Sequence, residues 1–206
     1  SQLAASDGHI LVVNPSLPVQ TLKELIALAR KPDSKISYGS PGVGNTIHLV
    51  GALFNARAGT TMVHVPYKGA GPAIGALLAG EIHVMLATPP LSVPHIKSGR
   101  LKALAVTSLQ PSEMFPDLPT VSASGLPGFD VSLWAGILAP AGTPQDIVIK
   151  LNREFVRIVG LPDIKERLAA EGAELKPSTP EQFGTLIVTE IERLGKIARA
   201  ANMRVD

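Results

Sequence analysis

The chain has 206 residues, 45% of them hydrophobic and 17% charged, with no cysteine and a formal net charge of +2. A charged share below the roughly 25% of soluble domains, beside enough apolar residues for a core, excludes a disordered or solvated tail. The lack of cysteine excludes disulfides, thiol nucleophiles and thiolate metal sites; the small charge argues against a dedicated nucleic-acid binder; and no apolar run approaches the roughly 18 residues of a membrane span.

Glycine (19) and proline (18) are spread along the chain without a period, which predicts many short loops. The chain opens at Ser1 with no methionine or signal-like segment, as expected of a mature product or a fragment. Residues 10–13 are a short apolar run ending at the turn Asn14-Pro15, and they are expected to be a strand that leaves a sheet edge. Thr21 and Glu24 have capping-box spacing ahead of a helix that Pro32 stops. Strands and helices then alternate: strand 36–38, helix 45–58, strand 62–65, helix 70–79, strand 82–87, helix 91–97 and strand 101–106. Alternation of this length means crossover connections and a mostly parallel sheet covered on both faces. Residues 110–131, rich in proline and glycine but punctuated by apolar residues, read as an ordered irregular connection. An apolar segment with the single tryptophan, Trp134, follows, and its residues 134–139 are expected to be a strand. Helices are expected over 145–159, 163–171 and 180–201, the last capped by Thr179 and Gln182, with an extended segment at 174–176.

The most informative loop is Gly39-Ser40-Pro41-Gly42-Val43-Gly44-Asn45-Thr46, which follows a strand and opens a helix. Backbone amides at a helix N-terminus, reinforced by the helix dipole, make such a loop an anion cradle. Gly39, Gly44 and Thr46 approach P-loop spacing, but Asn45 stands where the phosphate-binding lysine belongs. A P-loop-like nucleotide hydrolase is therefore the competing enzyme reading, and a merely tight turn is the structural one. Two further loops leave strand ends in the same manner, one with Tyr67 and Lys68 and one with Thr88. In an open sheet ligands sit outside the carboxyl ends of the strands, so three such loops can share one cleft suited to a carboxylate. Residues 34–112 carry six basic residues against Glu81 alone. This asymmetry reads either as chance on a solvated surface or as a positive lobe that attracts an anion. His48, His64, His83 and His95 lack metal-ligand spacing and are expected to be structural. No Gly-x-Ser-x-Gly elbow is present, so a serine hydrolase lacks its nucleophile.

Several segments together carry a more specific signal. Tyr38-Gly39-Ser40 with Gly42, Gly44 and His48-Leu49, then His64-Val65-Pro66-Tyr67-Lys68-Gly69, Pro94-His95-Ile96-Lys97-Ser98-Gly99, Leu104-Ala105-Val106-Thr107, Leu118-Pro119-Thr120-Val121 and Leu138-Ala139-Pro140-Ala141-Gly142-Thr143-Pro144 are similar to the extracytoplasmic solute receptors of the tripartite tricarboxylate transporter system, the Bug family. The likeness covers nearly the whole chain. It implies an α/β fold of the type II periplasmic-binding-protein kind, here as one complete parallel-sheet lobe (14–132) and a partial second lobe (1–13 and 133–206). It also implies a periplasmic receptor without catalytic chemistry or cofactor, which captures a small carboxylate and hands it to membrane permease subunits. The ligand-binding residues implied are Ser40, Gly42, Gly44, Asn45, Thr46, Tyr67 and Thr88; no metal and no nucleic acid are expected. Two positions depart from the family pattern: Ala87, where an aspartate is frequent, and Ala52, where a glutamate is frequent; both imply a different ligand or relaxed site chemistry. Family members carry about a hundred further residues ahead of the point matching Ile10, a half-lobe's worth. Without it, the apolar faces of helices 145–159 and 180–201, including Ile147, Leu151, Phe155, Phe183, Ile187 and Ile191, are left uncovered. Self-association through 133–206, or a module that has lost transport, then follows as an alternative expectation.

Overall fold

The computed structural model describes residues 2–6, 8–112, 114–170 and 173–200. The order of elements is β1 (Gln2–Ser6), β2 (Ile10–Val13), α1 (Leu22–Ala29), β3 (Ser37–Ser40), α2 (Thr46–Ala58), β4 (Val63–Pro66), α3 (Ala70–Ala79), β5 (Val84–Ala87), α4 (Pro89–Lys97), β6 (Lys102–Val106), β7 (Leu133–Gly136), α5 (Gln145–Val159), α6 (Pro162–Ala170), β8 (Ala173–Leu175) and α7 (Pro180–Ala200). Glu171, Gly172 and Ala201, expected to end or follow helices, lie outside the described residues. No helix among the described residues is long and apolar enough to cross a membrane.

The larger sheet has the order β4-β3-β5-β2-β6. Strands β3, β4 and β5 are mutually parallel, whereas β2 runs antiparallel to both β5 and β6. The expectation of an edge strand at 10–13 is therefore corrected: β2 is interior, with all four residues buried. Its pattern explains the position. Ile10 and Val12 enter the core beneath α3 and α4, while Leu11 and Val13 enter the opposite core beneath α1 and α2. A strand apolar on both faces belongs inside a covered sheet rather than at its rim. The sheet is mixed because the chain enters β2 from the other sheet and so runs against the βαβ units. Residues 10–13, grouped in the sequence reading with the partial lobe, pair with β5 and β6 of the five-stranded sheet.

A second sheet, of order β7-β1-β8, is antiparallel throughout. The strand expected over 134–139 is Leu133–Gly136, where pairing with β1 ends. The chain passes between the two sheets at His9 and again after Val131, and Thr107, at the end of β6, is bonded to both. The His9 amide donates to Thr107 Oγ1 (2.7 Å), and that hydroxyl donates to the Val131 carbonyl (2.7 Å). The Thr107 amide donates to the His9 carbonyl and the Val131 amide to the Thr107 carbonyl, both at 2.9 Å. Gly8 adopts φ 81°, and a Cβ there would collide with the Val131 carbonyl oxygen, so this crossing requires glycine.

Candidate ligand-binding site

Right-handed crossovers decide where the sheet opens. From β3 the chain moves outward to β4 through α2, and from β5 it moves the other way, to β6, through α4. Helix α2 packs on one face of the sheet and α4 on the other. The neighbouring carboxyl ends of β3 and β5 thus form a switch point, where helices diverge and leave a crevice. The ends of β3, β4 and β5 present residues 40–46, 66–69 and 88 at this edge.

The first two loops are tied together: the Tyr67 amide donates to the Ser40 carbonyl (2.9 Å) and the Gly69 amide to the Pro41 carbonyl (3.0 Å). Gly44 is at φ 79°, the left-handed conformation that turns the chain into α2. Asn45 caps α2, its Oδ1 accepting from the Ile47 amide at 2.9 Å. The first four amides of a helix have no intrahelical acceptor. Here the cap takes that of Ile47, and the amides of Thr46 and His48 remain directed out of the helix end. Val43, Gly44, Asn45 and Thr46 are exposed, so a ligand can reach this end. The arrangement offers a carboxylate two amides, the Asn45 Nδ2 group, the Thr46 hydroxyl and the positive end of the α2 dipole.

Ser40 differs from the sequence expectation. It is fully buried; its Oγ donates to the Gly42 carbonyl (3.0 Å), accepts from the Gly42 amide (3.2 Å) and lies 2.6 Å from His64 Nε2. In this structure it braces the loop from beneath instead of facing the crevice. The reason is strand periodicity: Ser40 ends β3 with its side chain on the covered face, among residues that are all buried. Tyr67 is half-buried, with its ring edge above Gly39, and burial together with Glu81 pushes its phenol up. Thr88 sits at the N-cap of α4 without a side-chain cap bond, while its carbonyl accepts from Leu91 and Ser92. The structure therefore brings Gly42, Gly44, Asn45, Thr46 and Tyr67 together around two bonded loops, and Thr88 shares their edge without a bond to them.

The basic residues of 34–112 do not gather at the crevice. Arg57 is in the last turn of α2, donating to the Pro127 carbonyl, and Lys102 begins β6 at the opposite edge, donating to the Val19 carbonyl. Arg100 contacts His95 and Ser98 beyond the end of α4. Lys68, exposed, is the cation that the loops themselves carry. An anion placed at this edge would meet oriented amides and Lys68 rather than a cluster of cations.

Sequence reasoning missed the histidine pair beneath the loop. His48, on α2, and His64, on β4, stack with centroids 3.8 Å apart and an interplanar angle of 5°. Burial lowers both below the usual histidine range, and His48 adds to the effect on His64, which falls to about 4. Among the described residues no group of three His, Asp or Glu side chains could hold a metal ion.

The family described as "Tripartite tricarboxylate transporter family receptor" matches residues 2–203. A Pseudomonas protein, "UPF0065 protein in tcbD-tcbE intergenic region", is 38% identical over 95% of this chain and 58% of its own length. BugT of Bordetella pertussis is 34% identical over 95% of this chain and 60% of its own. Among solved structures, "R. palustris Rpa4515 with adipate" superposes with a TM-score of 0.90 at 32% identity, covering 98% of this chain and 67% of that one. The chain thus spans about three fifths of the length of these curated relatives.

Proposed function

The chain belongs to the tripartite tricarboxylate transporter receptor family, and we propose that it supplies one wall of an extracytoplasmic binding site for a small carboxylate. The observation that carries this reading is the exposed N-terminus of α2, capped by Asn45 and presented at a sheet switch point beside Tyr67. A carboxylate group there accepts hydrogen bonds from the Thr46 and His48 amides and the Asn45 Nδ2 group. The adipate in the related R. palustris structure supports this ligand class. The P-loop alternative is weaker, because Asn45 spends its oxygen on capping and brings no cation for an outer phosphate.

In this reading residues 8–131 form one lobe, and β1, β7, β8 and α5 to α7 belong to the other. The protein works in the periplasm, performs no covalent chemistry and passes its ligand to membrane permease subunits. A receptor of this kind grips from both sides, so one wall alone binds weakly. Titration of the chain with adipate by calorimetry tests the site. Asn45→Ala and Thr46→Ala should each cost about 1.5 to 3 kcal/mol, the range for hydrogen bonds to charged groups. Unchanged affinity in both variants would overturn the assignment.

A further inference from the structure

The glycine loop is closed from beneath by a chain of contacts that no ligand-binding role accounts for. The Gly44 amide donates to His48 Nδ1 at 3.2 Å. His48 lies one turn into α2, and helical side chains lean toward the N-terminus, so its ring reaches back under the loop. Because Nδ1 accepts, the proton of neutral His48 is on Nε2. Its ring covers His64, which stands opposite Tyr38 in the β3–β4 register and 5.0 Å from that ring. The Ser40 hydroxyl gives its single proton to the Gly42 carbonyl, so the 2.6 Å contact to His64 Nε2 is completed by an N–H of the ring donating to Ser40 Oγ. The Gly44 bond requires a neutral His48, whereas the Nε2–H of His64 can donate to Ser40 in either state, so protonation of His64 acts through its charge beside the His48 ring. The circuit also occupies the Gly42 and Gly44 amides, leaving those of Thr46 and His48 to face a ligand.

We propose that the stacked His48–His64 pair is a positioning clasp for the glycine loop, holding it in the anion-binding conformation while both rings are neutral and releasing it when either is protonated. The part concerning the anion rests on the carboxylate reading of this loop. A proton on His48 Nδ1 removes the acceptor of the Gly44 amide and puts a cation in the first turn of a helix, where the dipole opposes it. A proton on His64 sets a charge against the ring of its neighbour in a partly buried site. The groups facing the pair do not offset these costs. From β3 there is the neutral phenol of Tyr38, while Tyr67 packs on the opposite face of the sheet, beside Gly39 and Ile82. From α7, packed on α2, Glu190 lines the groove at Gly44 and Leu49, but it is paired with Arg193 at 2.7 Å. Among the described residues no acidic side chain forms an ion pair with either ring.

The test uses the 206-residue chain and two-dimensional 1H–15N NMR, following the Gly42 and Gly44 amides and the imidazole nitrogens as pH falls from about 7 to about 4, the span over which burial displaces a histidine. The Gly44 amide should shift in step with the ring nitrogens of His48 and His64, with a midpoint below that of an exposed histidine. In the double variant His48→Asn, His64→Gln, the new side chains offer a polar atom near Nδ1 and Nε2 without titrating. There the Gly44 and Gly42 resonances should keep their neutral-pH positions throughout. Gly44 resonances indifferent to ring titration, or rings titrating like exposed histidines, would overturn the clasp. Adipate added at each pH separates this from the carboxylate reading. A coupled titration with no adipate-induced shift at Thr46 or His48 would sink that reading and leave the clasp supported. Adipate shifts that persist unchanged after the rings are protonated would overturn the clasp alone.

Discussion

The two sheets are built from the same kinds of element, yet they bury their residues very differently. Between Ile10 and Val131 the inner strands β2, β3 and β5 are buried on both faces, β4 at the rim is partly exposed, and almost all fully buried apolar side chains lie here. Beyond Ser132 the buried apolar residues among those described are Val159 and Phe183, the latter edge-on to Trp134 at 5.4 Å. Ile147 and Leu151 are each 44% exposed and Ile191 is 66% exposed, although α5 and α7 are strongly amphipathic. A βαβ lobe generates the strands its own helices cover. Helices α5 and α7 instead leave apolar side chains exposed beside the three-stranded sheet.

This contrast is open to experiment, and the largest expected effect is in the first core. Phe54 is fully buried and meets Phe129 edge-on at 6.3 Å. Phe54→Ala should lower stability by about 3 to 5 kcal/mol in urea unfolding, as for large-to-small core changes, whereas Ile191→Ala should stay within about 0.5 kcal/mol. Equal losses would mean that α7 is as well buried as α2. The exposed face also gives reason to expect self-association through 133–206, seen in sedimentation velocity and dispersed by Ile191→Lys; a monomer indifferent to that substitution would refute it.

His9, in the strap between the sheets, sharpens the comparison next. Its side chain is fully buried with neither ring nitrogen hydrogen-bonded among the described residues, and burial lowers it from 6.5 to about 4. The unfolded chain therefore takes up the proton first on acidification. Stability present above about pH 6.5 is lost as pH falls toward 4, by roughly 3 kcal/mol from this residue. His9→Leu should reduce the loss over that window by about this amount in pH-dependent thermal unfolding, and an unaltered pH profile would show that His9 is solvated. The smallest effects are at helix starts. Thr21 Oγ1 accepts from the Glu24 amide, and Thr179 and Gln182 bond reciprocally. Loss of either cap, in Thr21→Ala or Thr179→Ala, should cost about 1 kcal/mol by urea unfolding. A markedly smaller loss at Thr179 would indicate that α7 is held mainly by packing.

Much of this was legible from local signals. Helices α3 and α5 begin and end where periodicity, proline and glycine put them, and the Thr179 box forms in full. At α1 the box forms by half: Glu24 reaches back to the Gln20 amide, one residue beyond the cap. What escaped the sequence depends on distant segments. The direction of β2 is set by the sheet from which the chain arrives, which no property of Ile-Leu-Val-Val encodes. The inward aim of Ser40 follows from its place at the end of a doubly covered strand. His48 and His64 are brought together only when α2 folds back over the β3–β4 pair, so their spacing along the chain carries no trace of the stack. The basic surplus of 34–112 was real as composition but silent about place, since Arg57 and Lys102 were drawn to carbonyls far from the crevice.

Strand β1 has a consequence for the order of assembly. It is the middle strand of its sheet, joining β7 on one side and β8 on the other, both far later in the chain. On a ribosome it emerges before either partner exists, whereas β2 to β6 can collapse with their own helices as soon as residue 106 is free. Closing so large a loop twice is slow compared with local βαβ pairing. The smaller sheet is thus a late seal, completed only after the five-stranded lobe has fixed the His9, Thr107 and Val131 crossing that brings its first strand to meet its last.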